Sequence, residues 1–343
     1  MKCIEFFNKY RKADSMLVEF VTKLNMTPVY SGESNFGFDV HYHRTPETQK
    51  LQKVLDTLNL SAVLDLYCRA KVSMEGLKIF RPQADNLEAL EQMEIRVKLD
   101  EYQQPFPSLV IEFPENYTNK KIVKNPLPGL REDSGIIAEE THSPSFVIVH
   151  RDPGTKAILL CLYYNSTDVY TTVIYQNIDI EDSLDRNFKG ESYDGSLQSL
   201  EEEKKVSKDL FRTALNCILV MEEMGIKKLG PDNPAYYAKL ERRIKKSHPK
   251  HDEANRQELF AHPIIYSFDQ NIKLYNVERE HIYAPSDQHS GRTVKSHWRR
   301  GCWVNQPYGP KQSLRKRIRR PPVLVNQKYF HGKVSDTTVT YNT

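Results

Sequence analysis

Hydrophobic spacing divides the chain into helical and strand-like stretches. Residues 2–25 carry Ile4, Phe7, Met16, Phe20 and Leu24 at helical intervals, with Lys and Glu between them. Residues 27–48 break the pattern with Gly, Ser, Asn and Pro and read as a loop. Residues 49–72 place Leu51, Val54, Leu58, Val63, Leu66 and Ala70 on one stripe, interrupted near Asn59, with Ser61 as the expected N-cap of a second piece. A third helix is expected over 86–103, with Leu87, Leu90, Met93 and Val97 on its apolar face.

After Pro105-Phe106-Pro107 the period changes to that of strands. Ser108–Phe113 reads as one strand. Ser145–Arg151, the turn Asp152-Pro153-Gly154, and Lys156–Tyr164 read as a hairpin, and Val169–Gln176 as a further strand. Ala157–Tyr164 is apolar at both parities, which predicts a strand covered on both faces. Residues 116–143 and the acidic stretch 180–196 read as connections. A long helix follows over 199–225. Ser199 and Glu202 form a capping-box pattern, Val206, Leu210, Ala214, Cys217 and Met221 share a stripe, and Gly225 closes it. Ala235–Lys246 is a short charged helix, the polar run to about residue 258 a linker, and Pro263–Phe268 and Ile272–Val277 strands. The expected architecture is α+β: N-terminal helices, a mostly antiparallel sheet and a basic, β-rich C-terminal module. Its divisions are residues 1–246 (body), 247–258 (linker) and 259–343 (module).

Charge sharpens that division. From Gln288 to Ser335 there are twelve Lys and Arg residues and no Asp or Glu. The formal net charge is +4, so these twelve leave −8 for the rest of the chain. An acidic body carries a basic module, the electrostatic asymmetry of a protein that meets a polyanion or an acidic partner. Both tryptophans, Trp298 and Trp303, lie in this module. If Leu314–Arg320 is a strand, Arg315, Arg317 and Arg319 share a face. If Lys295–Gln306 is its partner, a bulge at Gly301 would bring Trp298, Arg300 and Trp303 onto one face. Rings beside guanidiniums suit base stacking and phosphate contact, and equally the hot spots of a peptide groove. The expected binding residues are His297, Trp298, Arg299, Arg300, Trp303, Tyr308, Arg315, Arg317 and Arg319.

Other chemistry is sparse. No run of 18 apolar residues suggests a membrane span, and the N-terminus lacks the uninterrupted apolar segment of a secretory signal. The five cysteines are far apart with no CxxC pair, so free thiols in a reducing compartment are expected and a structural zinc site is not. His41/His43, His248/His251 and His297/Cys302 each lack further ligands nearby, and no metal or cofactor is expected. GxSxG, HExxH, P-loop and Rossmann patterns are absent. Cys217 reads as a core thiol. A non-catalytic protein is expected, with a nuclease as the enzymatic alternative.

The module also carries a resemblance. His297, Arg299, Arg300, Gly301, Trp303, Gly309, Pro322, Val325 and Asn326 match a pattern of His-x-Arg-Arg-Gly-His-Trp, an aromatic-Gly segment, a basic run and Pro-x-x-Val-Asn. It resembles the C-terminal module of a family found on phages, plasmids and other mobile elements, which includes type V-A anti-CRISPR proteins. Two departures stand out: Cys302 replaces the second His, and Arg319-Arg320 replace an apolar pair. The resemblance implies a protein of the bacterial cytoplasm that recognises a nascent polypeptide, the N-terminal segment of a CRISPR effector nuclease on the ribosome, and lowers the matching messenger RNA. RNA or the ribosome would be a further partner. The alternative is a general RNA- or DNA-binding protein of a phage or plasmid.

Overall fold

The structure is a computed structural model. It describes residues 3–31, 35–91, 93–95, 104–126, 139–164, 168–175, 179–188, 197–231, 233–246, 263–268, 274–275, 297–299, 302–320, 323–325 and 338–339. In chain order the N-terminal elements are α1 (Cys3–Lys23), β1 (Met26–Ser31), β2 (Asn35–Val40), α2 (Pro46–Leu55), α3 (Leu60–Glu75), β3 (Lys78–Phe80), α4 (Ala84–Glu91) and β4 (Glu94–Ile95). The middle holds β5 (Ser108–Glu112), α5 (Glu115–Thr118), β6 (Val123–Pro126), β7 (Glu139–His142), β8 (Pro144–Arg151), β9 (Ile158–Tyr164), β10 (Asp168–Ile174), α6 (Ile180–Phe188) and α7 (Leu197–Met224). The remainder is β11 (Ile226–Pro231), α8 (Pro234–Lys246), β12 (Ile264–Phe268), β13 (Leu274–Tyr275), β14 (His297–Arg299), β15 (Cys302–Tyr308), β16 (Leu314–Arg320), β17 (Val323–Val325) and β18 (Thr338–Val339).

Seven strands form the central sheet in the order β10-β9-β8-β5-β3-β12-β11. All its pairings are antiparallel except β5–β3 and β3–β12. The fold is α+β with mostly antiparallel sheets, as the sequence predicts. Strand alternation sorts the core in two. On β9, Ile158, Leu160, Leu162 and Tyr164 join one cluster, and Leu159, Cys161 and Tyr163 the other. All seven residues of β9 are buried, as expected for a strand covered on both faces. α1 and α3 close one face. α4, α6 and α7 close the other.

Several elements depart from the sequence expectation. Residues 27–48 contain the β1–β2 hairpin, in register from Met26↔Val40 to Ser31↔Asn35, because Phe36 and Phe38 both turn inward, Phe38 onto Tyr67 and Phe36 onto Phe38. α3 is capped by Asn59, whose Oδ1 accepts from the Ala62 N–H at 2.8 Å. Ser61 Oγ instead accepts from the Thr171 hydroxyl at 2.9 Å. The helix expected over 86–103 ends at Glu91, and the chain enters β4. Residues 180–188, read as part of a loop, form α6 with Ile180 and Leu184 buried one turn apart. α7 begins at Leu197, two residues before the expected cap. Ile264–Phe268, assigned by the sequence to the C-terminal module, is an interior strand of the central sheet.

Candidate binding surface on the basic hairpin

β15 and β16 form an antiparallel hairpin, in register from Cys302↔Arg320 to Tyr308↔Leu314. β14 and β17 pair from His297↔Val325 to Arg299↔Val323. The same offset holds in both ladders. Two residues on each strand separate them, so no net register shift occurs and the bulge expected at Gly301 is not needed. Without that shift, positions 298 and 303 have opposite parity rather than a shared face.

The turn is set by Gly309, at φ 77°. A Cβ there would lie 3.0 Å from Leu314 Cδ1 as well as being strained, so glycine is required twice over. Lys311 and Gln312 also take positive φ. The Arg315 guanidinium donates through Nη1 to the Gln312 carbonyl at 3.0 Å and steadies the bend.

The hairpin is held to the body through β4. Cys302 and Trp303 pair in parallel with Glu94 and Ile95, giving a three-stranded sheet β16-β15-β4. β4 is fixed in turn by α6 and α7. The Asn216 amide donates to the carbonyls of Leu90 (2.8 Å) and Met93 (2.9 Å), both in the turn that leads into β4. The Ile95 N–H donates to Glu181 at 3.4 Å. Glu181 receives Arg212 Nε at 2.8 and 3.0 Å, and Arg212 also donates to Asp209 at 2.7 Å.

This seating decides which side chains reach solvent. Trp303, expected as part of an anchor surface, is only 3% exposed and belongs to the core cluster beneath α7. A ring that large gains more from apolar burial than from an exposed position. Its indole N–H is buried without a hydrogen-bond partner. Arg315, Arg317 and Arg319 do share a face, as the alternation predicts, but it is the Trp303 face. Arg319 is directly opposite Trp303, and the Arg317 guanidinium lies 5.8 Å from the Trp303 ring centroid. Arg317 and Arg319 are half-buried and Arg315 is exposed. Tyr308 and Leu314, paired across the strands near the tip, are each 48% exposed. Lys311 and Lys316 are exposed beside them, and Arg320 is exposed at the far end of β16, opposite Cys302. His297, Trp298 and Arg299 lie in β14, their side chains outside the described residues, as are Arg300 and Gly301.

The exposed surface at the hairpin tip is therefore an aromatic-apolar pair with cations beside it. Leu314, Lys316 and Arg320 were missed as candidates, although the same alternation defines them. Among the described residues, no group of three His, Cys, Asp or Glu could hold a metal ion. Burial pushes the Cys217 thiol well above its ordinary range, as befits a core cysteine rather than a nucleophile.

A model of the AcrVA2-like proteins, described as the Anti-CRISPR type V subtype A2 family, matches residues 80–327. The chain belongs to this family. The match runs from the end of β3 past β17 and takes in both the long helix α7 and the basic hairpin. No curated protein sequence matches. Among solved structures, one titled "Crystal structure of AcrVA2" aligns at TM-score 0.41 and 14% identity, over 94% of this chain and 97% of that one. For this family member the match covers the anchoring apparatus (Asn216, Glu181, Arg212) together with the hairpin it supports. The helices α1–α3 and the β1–β2 hairpin precede it.

Proposed function

We propose that this anti-CRISPR family member acts by binding and not by catalysis, in the cytoplasm of a bacterial host. It recognises a polypeptide of the CRISPR system, the nascent N-terminal segment of the effector nuclease, and lowers the matching messenger RNA. The observation that carries this reading is the hairpin tip. Tyr308 and Leu314 are a large apolar pair left exposed at the tip of a hairpin that pairs with β4, and Lys311, Arg315 and Lys316 flank them. Exposed apolar side chains inside a charged rim are the composition of a protein-recognition site.

The experiment is capture of stalled ribosomes bearing the first segment of the effector nuclease by the purified full chain. The wild type retains them and Tyr308→Ser/Leu314→Ser does not. Equal capture by both proteins, or capture of ribosomes with unrelated nascent chains, overturns the reading. A second reading, a plain nucleic-acid-binding protein, draws on the twelve Lys and Arg of residues 288–335, a segment whose sequence holds no Asp or Glu. It requires binding that falls steeply with salt whatever the nascent sequence.

A further inference from the structure

A second basic surface lies on α8 and the neighbouring strand β11, away from the hairpin in sequence. Within α8, Lys239, Arg242, Arg243 and Lys246 stand at i, i+3, i+4 and i+7, one stripe of the helix, and all four are exposed. The opposite stripe faces the sheet: Leu240 is fully buried, and Tyr237 and Ile244 are half-buried. β11 is an outer strand of the central sheet and packs beside α8; its Lys227 and Lys228 are exposed but alternate to opposite faces, and Lys228, paired with Tyr266, is the one on the α8 side.

The one acid of α8 itself, Glu241, is not on this stripe. Glu241 lies about 150° from its centre on helical geometry. Burial, and then the Glu241 carboxylate, push the Tyr237 hydroxyl above its ordinary value, which sets Glu241 on the Tyr237 flank. Asp232 precedes the helix. A helix C-terminus favours cations through its dipole, and Arg243 and Lys246 are in that last turn. Lys239, Arg242 and Lys228 are not, so the dipole does not account for the surface.

We infer that the α8 stripe, with Lys228 of β11, is a docking surface for the phosphate backbone of a nucleic acid, separate from the hairpin tip. Cations of both kinds spaced along two turns of a helix and continued by Lys228 suit a repeating charged backbone more than a single carboxylate. The surface is independent of polypeptide recognition at Tyr308 and Leu314, and its test reads a different quantity.

The test follows a fluorescent single-stranded oligouridylate binding to the full chain across a salt series. The variant Lys239→Gln/Arg242→Gln/Lys246→Gln changes only exposed side chains. It should bind at least tenfold more weakly at low salt, with a salt slope smaller by about two, given roughly 0.7 per phosphate for single strands. The charge-conserving variant Lys239→Arg/Arg242→Lys/Lys246→Arg should bind like the wild type. The equal-charge hairpin variant Lys311→Gln/Lys316→Gln/Arg320→Gln should lose less than the α8 variant. Wild-type affinity and slope in the α8 variant overturn the inference, as does a wild type with no salt-dependent RNA binding. Displacement of the RNA by polyglutamate as readily as by unlabelled RNA also overturns it, in favour of an acidic polypeptide. Capture of nascent chains is unaffected in either outcome, so the two sites fail or succeed separately.

Discussion

The two faces of the central sheet are closed by different physical means. On the face covered by α1 and α3, aromatic packing and buried charge work together. Phe146 and Tyr163 stack with centroids 4.5 Å apart, Phe6 meets both, and the Arg69 guanidinium lies 5.3 Å from the rings of Phe6 and Tyr10. Arg69 Nε donates to Asp14 at 2.9 Å, Asp65 lies beside it, and the Tyr163 hydroxyl donates to Asp65. His150 is buried there too. On the face covered by α4, α6 and α7 the centre is apolar, and the ion pairs of Glu181, Arg212, Lys208 and Asp185 stay at the rim. One face depends on charges whose loss leaves a partner stranded. The other depends on volume, part of it supplied by Trp303 from the far end of the chain.

The largest expected effect tests the volume side. Trp303→Ala empties a buried site and should cost about 4 kcal/mol in urea unfolding. Trp303→Phe, which keeps most of the ring and removes the unpartnered indole N–H, should cost far less. Equal losses in the two variants would mean that the N–H and not the volume matters. On the charged face, Arg69→Leu strands a buried Asp14 and should cost roughly 3 kcal/mol near neutral pH. Burial already pushes the Asp14 carboxyl above its ordinary value, with Arg69 opposing that push. The Arg69→Leu deficit should therefore shrink as pH falls and Asp14 takes up a proton. A deficit that does not change with pH would show that packing on Phe6 and Tyr10, and not charge, is what Arg69 supplies.

The third effect comes from His150. It is 1% exposed, its Nδ1 is 2.8 Å from the Ser108 hydroxyl, its Nε2 has no partner, and the Tyr67 ring lies edge-on to it. Burial, then the Lys71 ammonium, lower its pKa from 6.5 to about 4, with Asp152 opposing them. A depressed histidine pKa means that the unfolded chain binds the proton first. The contribution is whole above about pH 6.5 and is lost as pH falls toward 4, by up to roughly 3 kcal/mol. The aspartates of the same face push the opposite way, so the comparison is between wild type and His150→Gln. The variant should lose less stability than the wild type between pH 7 and 5, and parallel curves would remove His150 from the account. The smallest effect is expected at the hairpin tip. Tyr308→Ser/Leu314→Ser belongs to neither face and should shift stability by less than about 0.5 kcal/mol.

What the sequence makes legible follows the range of the forces involved. α7 and the β8–β9 hairpin are plain in it, because 3.6- and 2-residue periods come from a neighbouring layer that spans the whole element. The β1–β2 hairpin is hidden by its Gly, Pro and Ser content, although Phe36 and Phe38 carry the alternation that seats it. α6 is masked by four acidic residues from Asp179 to Asp185, which outnumber buried Ile180 and Leu184 although only Asp182 of the four is exposed. The arginine face of β16 is legible as alternation. That it is the side turned toward Trp303 is not, because the strand that orients the hairpin, β4, lies some two hundred residues earlier and is two residues long. Such a short partner carries no period to read.

That parallel pairing also orders the making of the molecule. Glu94 and Ile95 leave the ribosome early, and Cys302 and Trp303 more than two hundred residues later. Contacts of such sequence separation are slow to form and cannot start before their second half exists. A growing chain thus holds every strand of the central sheet by residue 268 while the place of Trp303 is still empty. Among the described core residues Trp303 is the last in chain order, and the hairpin that brings it also carries the exposed Tyr308 and Leu314.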